Sequence, residues 1–264
     1  MKATEQRAKQ GTATRLTDAI TRDHFILYGQ PIVSTGPTRE RSGYVEILVR
    51  YLEEERNLLP PGGFFEILES LNLMSVLDCW VLNRVLRSLA GQCTAQENCD
   101  VPRYSVDLSI DSLYEGKFCA FVAERFRANR LPSGKLWLEI AERDAKEHAI
   151  ALENLISILR PVGCSFALTA YTGDFLPPAS LHTLGVDTIK IDGQIIGEIN
   201  RNVAASARVK AIHLMCKKLG IQTVGEMVDY PETLEKLTKL GIDYVQGYAI
   251  APPAPLQSLR YGLN

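Results

Sequence analysis

Apolar and polar positions along this chain follow two periods. Short runs rich in β-branched and aromatic residues predict eight strands, over Phe25–Val33, Tyr44–Arg50, Arg103–Ser109, Lys135–Ile140, Cys164–Thr169, Val186–Ile191, Ile221–Val224 and Asp243–Val245. Between them the apolar residues recur at helical spacing. Leu77, Val81, Val85 and Leu89 share one face of a helix over Met74–Ala90, and Leu152, Leu155, Ile156 and Leu159 one face of a helix over Ala145–Arg160. Val203–Leu219 carries Ala205, Val209, Ile212, Cys216 and Leu219 on one face and stops at Gly220, and Pro231–Leu240 stops at Gly241. Further helices are predicted from Pro60 to about Ser70, over Ser112–Asn129, near Ala179–Leu184, and after Pro252–Pro255 at the C-terminal end. Residues 1–22 are polar apart from one amphipathic turn of Leu16, Ala19 and Ile20. They predict a linker and lead-in helix ahead of a domain over 23–264.

Strand and helix alternate with short connections, and the later strands are apolar on both faces. That pattern belongs to a parallel sheet covered by helices. Eight strands without a break in composition predict a single (β/α)8 barrel, a size usual for about 250 residues. No Gly-x-Gly-x-x-Gly follows the first strand, which disfavours an open doubly wound sheet.

Composition narrows the function. The chain is 46% hydrophobic and 23% charged, as in a globular domain. A formal net charge of −2 argues against an extended nucleic-acid surface, so no nucleic acid is expected as a partner. None of the six cysteines forms a Cys-x-x-Cys pair, and most lie in apolar runs, which reads as buried thiols of a reducing, cytoplasmic compartment. No membrane span and no signal peptide are visible.

In a barrel the chemistry gathers at the C-terminal ends of the strands. Glu46, Asp107, Glu139, Lys190, Asp192, Glu226 and Gln246 each end, or nearly end, a strand. Converging carboxylates suit a divalent cation, and a lysine among them suits a phosphate or a positioned water. Strand ends are also polar simply because they meet solvent. Arg50 lies four residues after Glu46, on the same face of its strand, and a solvated ion pair would give the same spacing.

These residues carry a resemblance. Gln30-Pro-Ile-Val33, Glu46-Ile-Leu48 followed by Arg50, Ser105-Val-Asp-Leu-Ser109, Leu138-Glu-Ile-Ala-Glu142, Lys190-Ile-Asp192, Gly225-Glu-Met-Val-Asp229 and Gln246-Gly-Tyr248 with Pro253 occur in this order. Together they resemble the motifs of the EAL domain family, which binds and hydrolyses the second messenger cyclic di-GMP. The resemblance runs from about Leu16 to Leu259. It implies a modified TIM barrel whose first strand runs antiparallel to its neighbour. It also implies ligand-binding roles for Gln30, Glu46, Ile47, Leu48, Arg50, Asp107, Glu226, Met227, Gln246 and Pro253, with Arg50 on a phosphate and the two glutamines on guanine edges.

The departures from the family pattern imply something further. Its metal-binding aspartate pair falls on Thr169 and Ala170, its asparagine on Asp107, and the glycine after Glu226 on Met227. Thr169 offers a neutral hydroxyl and Ala170 nothing, so the expectation is a degenerate domain: no metal, no cofactor, not an enzyme. In that reading it is a receptor that couples cyclic di-GMP to a PilZ-type adaptor, as in type IV pilus signalling. Two other readings compete. One is a module that binds protein alone, and the other is an active metal-dependent phosphodiesterase using the retained Glu46, Glu139, Lys190 and Glu226. Exposed Glu53–Arg56 and the loop at Thr169–Phe175 are candidate partner surfaces.

Overall fold

The computed structural model describes residues 19–20, 24–36, 44–52, 58–59, 62, 64–92 and 102–259. Eight of its strands match the expected ones: β1 (Phe25–Ser34), β2 (Tyr44–Leu52), β4 (Arg103–Asp107), β5 (Leu136–Ala141), β6 (Ser165–Tyr171), β7 (Thr188–Ile191), β8 (Gln222–Gly225) and β9 (Tyr244–Val245). Two-residue strands at Leu58–Leu59 (β3) and Ala254–Pro255 (β10) extend the sheet. From β2 through β4 to β9 each strand runs parallel to the next. β1 lies antiparallel between β9 and β2 and closes the barrel, in register from Phe25 opposite Tyr51 to Ile32 opposite Tyr44.

Helices cover the outside. Val203–Leu219 and Pro231–Leu240 have the expected ends, because Gly220 and Gly241 take the left-handed conformation that stops each one. Elsewhere the boundaries differ. The helix after Pro60 begins at Phe65 among the described residues. Ser112–Asn129 is two helices, Ile110–Tyr114 and Gly116–Asn129, broken where Glu115 turns extended at ψ 99°. Ala145–Arg160 begins earlier, at Glu142, and breaks at His148 into Glu142–Glu147 and Ala149–Leu159. A helix at Gly193–Glu198, capped by the Asp192 side chain, was not foreseen.

Among the described residues no α-helix follows Pro252–Pro255. The chain instead lays Ala254–Pro255 against β1 and closes with a 3-10 turn at Leu256–Ser258. Gly29 of β1 makes room for this crossing, since a Cβ there would stand 2.6 Å from a Leu259 methyl and 2.7 Å from a Val45 methyl.

Inside the barrel, Ile32, Tyr44, Trp137, Ala167, Val224 and Tyr244 form a small cluster of their own. A larger apolar layer joins the outward face of the strands to the helices. Of the expected linker and lead-in helix only Ala19 and Ile20 are described; both are helical and buried. The Glu53–Arg56 surface lies outside the described residues. None of the helices among the described residues is long and apolar enough to cross a membrane.

Candidate functional site

Strand period builds the mouth of the barrel. Successive side chains alternate faces, so the residue two places after each floor residue points inward again, higher up. Glu46 follows Tyr44 in this way, Glu139 follows Trp137, Glu226 follows Val224 and Gln246 follows Tyr244. Lys190 on β7 completes the ring and is 1% exposed.

The ring is an ion cluster centred on that lysine. Lys190 Nζ donates to Glu46 Oε1 at 3.0 Å and Glu139 Oε2 at 2.9 Å, and stands 3.1 Å from Glu226 Oε1. Burial alone would lower the lysine's pKa, but Glu139, Glu46 and Glu226 outweigh it and hold the ammonium well above its ordinary value. Gln246 Nε2 donates to Glu46 Oε2 and, at 3.1 Å, to Gln30 Oε1; Gln30 Nε2 in turn donates to the Ala251 carbonyl at 3.0 Å. Burial would raise the Glu46 carboxyl, yet Lys190 and Gln246 keep it below the usual range. Glu139 is pushed up to about 7, chiefly by burial, with Lys190 opposing. Glu226 is raised by burial as well.

Asp107 ends β4 beside this ring and reaches solvent at the lip. Its carboxyl is held well above the ordinary value by desolvation and by repulsion from Glu139 and Glu46, and because the residue is open to solvent the repulsion is the firmer of the two causes. Oxygens of Glu46, Asp107 and Glu139 all lie within 4.8 Å of one another. Three carboxyl oxygens so close could hold one divalent cation, whose charge would favour ionising them. Among the described residues no second set stands where the aspartate pair was expected. Thr169 is half-buried, and Ala170 is exposed in a left-handed conformation at φ 48°, within a register shift between β6 and β7.

The remaining expected residues divide. Leu48 and Arg50 share the inward face of β2 with Glu46, and Arg50 lies over the Tyr28 ring at 5.7 Å. Met227, 60% exposed and left-handed at φ 52°, packs its thioether where a side chain on Gly193 would fall. Together with Gln30, Glu46, Glu226, Gln246 and Tyr248 it lines a cavity of about 150 Å³ at the mouth. Pro253 is half-buried just before β10. Ile47 does not join them, because its side chain faces the helices and sits in the outer apolar layer. Asp192 faces the next helix and caps it. Two larger cavities, of about 630 and 600 Å³, run along helices and hold none of the mouth residues.

Two buried carboxylates had been given no role. Glu142 accepts from the backbone N–H groups of Thr172, Gly173, Phe175 and Leu176 and from the Thr172 hydroxyl, and so shapes the loop after β6. Arg208 holds the same loop from the other side, donating to the Thr172 carbonyl and pairing with Asp174. Asp78, on the helix Met74–Gln92, accepts from Ser109 and Ser112 just beyond β4. The signal for Asp78 was a carboxylate on the apolar face of an amphipathic helix, beside Leu77 and one turn from Val81.

A family model described as EAL domain matches residues 13–253. Cyclic di-GMP phosphodiesterase PdeB of Shewanella oneidensis is 33% identical over 257 residues, 97% of this chain and 29% of that protein. Cyclic di-GMP phosphodiesterase PdeF of Escherichia coli is 29% identical over 96% of this chain and 33% of its own length. The chain thus spans about a third of the length of these curated relatives. The FimX EAL domain from Pseudomonas aeruginosa, solved with c-di-GMP, superposes with a TM-score of 0.84 at 24% identity, covering 94% of this chain and 98% of that one, a likeness of fold. The expectation drawn from Thr169 and Ala170, of a degenerate domain that is not an enzyme, is overturned by the named phosphodiesterases and by the acidic triad. That expectation counted Asp107 as one more departure from the family pattern, whereas its oxygen lies within 4.8 Å of those of Glu46 and Glu139.

Proposed function

The chain belongs to the EAL domain family, whose model it matches over residues 13–253, and from that premise we propose that the barrel mouth binds cyclic di-GMP and hydrolyses one of its phosphodiester bonds. The observation that carries this reading is the Glu46, Asp107 and Glu139 triad set against buried Lys190. A divalent cation on those oxygens would supply a Lewis acid and a water acidic enough to ionise near neutral pH. The chain's own residues do the positioning. Lys190 fixes the facing carboxylates of Glu46 and Glu139, and Gln246 orients Glu46 while Gln30 orients Gln246. Arg50, on the inward face of β2 beyond Glu46, meets a ligand phosphate with charge-assisted bonds. Leu48, Met227 and Pro253 offer apolar contacts for the guanines, and Gln246 Oε1, buried with no partner among the described residues, is left to accept from a base N–H.

One carboxylate triad in place of a paired centre predicts slow turnover that depends on Mn²⁺ or Mg²⁺. No feature of the described residues singles out a docking face for a PilZ-type adaptor, so the proposal is confined to the nucleotide. Incubating the purified protein with cyclic di-GMP and Mn²⁺, and resolving products by chromatography, is the test. The linear dinucleotide is expected, and it is expected to vanish in Asp107→Ala and Glu139→Gln. An absence of product with the unaltered chain would overturn hydrolysis; an absence of heat in a calorimetric titration would overturn nucleotide binding as well.

A further inference from the structure

The turn that follows Asp107 is held from outside the barrel. Asp78 is 5% exposed on the helix Met74–Gln92, and one of its oxygens, Oδ2, gathers three donors. Ser109 N donates at 2.9 Å, Ser109 Oγ at 2.7 Å and Ser112 Oγ at 2.7 Å. Ser109 stands at the N-cap of Ile110–Tyr114, yet its hydroxyl does not cap that helix, because it is committed to Asp78. On the other side of the same segment, Leu108 N donates to the Glu139 carbonyl at 2.8 Å. Asp107 is therefore pinned between β5 and Asp78, with only Leu108 between it and the clamped serine.

We propose that Asp78 is a positioning residue for the cation site: its carboxylate clamps the turn after β4 and so holds Asp107 against Glu46 and Glu139. The inference rests on the reading of that triad as a cation site. A side chain outside a ligand shell that orients a ligand commonly sets metal affinity, and its loss costs about 10–100-fold. Asp78 fits that role because a charged acceptor with three donors makes short, directional bonds.

Mn²⁺ titration by calorimetry on the whole chain tests it, with Tm recorded for each protein. Asp78→Ala is expected to weaken Mn²⁺ binding by about 10–100-fold. Asp78→Asn retains an acceptor oxygen and is expected to restore most of the affinity. Val85→Ala, buried on the same helix but remote from the turn, is expected to lower Tm and leave Mn²⁺ binding unchanged. Binding by Asp78→Ala equal to the unaltered chain, or an equal loss in Val85→Ala, would overturn the proposal. A crystal structure of Asp78→Ala decides independently of any metal: a displaced Asp107 supports the clamp, and an unmoved Asp107 overturns it. Should the unaltered chain bind no Mn²⁺, the cation reading fails, and that structure still judges Asp78.

Discussion

The floor and the mouth of this barrel are built by the same strands, two residues apart. At the floor Tyr44, Trp137 and Tyr244 meet edge to face, with Tyr44 4.8 Å from each of the other two rings. Arg103 and Gln222 satisfy the buried Tyr44 hydroxyl. At the mouth the same strands present Glu46, Glu139 and Gln246, which close on Lys190. The floor gains free energy by burying aromatic surface. The mouth loses it by burying carboxylates, and is held by one ammonium among four acids that surround it. Adjacent rungs of one ladder thus divide stability from chemistry, and the division follows only from which residue occupies each inward position.

Removing the ammonium is the harshest test of that division. Lys190→Ala would leave Glu46, Glu139 and Glu226 buried without their partner, at a cost of about 5 kcal/mol at pH 7.5. The carboxyls can then escape only by taking up protons, so the loss should shrink at pH 5. Urea unfolding at both pH values checks this. An equal loss at both would mean that the lysine matters for its packing and not its charge.

The floor should answer in the opposite sense. Trp137→Ala removes an almost fully buried indole and should cost about 3–5 kcal/mol, a loss with little dependence on pH. Mn²⁺ binding should survive, since Glu139 lies on the rung above. If affinity fell along with stability, the two layers would be one cooperative unit.

Much of this arrangement was legible because the signals were local. Val203–Leu219 and Pro231–Leu240 were read to the residue from their terminal glycines and apolar stripes. The polar strand ends pointed to the mouth, since a period of two fixes which residues share a face. What escaped was set by distant partners. The break at His148 has no proline or glycine beside it, and at Glu115 the one local sign, Gly116, opens the second helix and was not read as a boundary. The C-terminal segment became a strand because Gly29, far back in the chain, leaves room for it. Ile47 sits in a motif but its side chain faces the helices, which its place in the sequence did not show. The carboxylates Glu46, Asp107 and Glu139 were picked out as strand ends, but a metal was set aside on the losses at Thr169 and Ala170, without the distances that bring the three together.

Arg50 sharpens the contrast at the lip. Its guanidinium donates to the Val49 carbonyl at 2.9 Å and lies over the Tyr28 ring. Losing a charge-assisted partner to a phosphate costs about 2–5 kcal/mol of affinity. Arg50→Ala should therefore weaken cyclic di-GMP binding well over tenfold in calorimetry, while Tm stays close to that of the unaltered chain. Unchanged affinity would remove Arg50 from the ligand site.

Asp78 supplies the mildest and most specific test, because it separates a buried charge outside the barrel from those within. Burial raises its carboxyl from 3.8 to about 6, against the pull of the Ser109 and Ser112 hydrogen bonds. The folded chain therefore holds this proton more tightly than the unfolded one. Between those values the native state binds more protons, so stability falls as pH rises from about 4 to 6 and is level above that. A shift of this size corresponds to roughly 1–3 kcal/mol. Asp78→Asn has no such proton to lose. Unfolding both proteins in urea at pH 4.5 and pH 7 should show the unaltered chain losing ground to the variant by that amount, with Glu139, Glu226 and Asp107 cancelling in the comparison. A constant difference would show that the three serine donors keep Asp78 ionised throughout, and that the clamp on Asp107 is carried by a full charge even in mild acid.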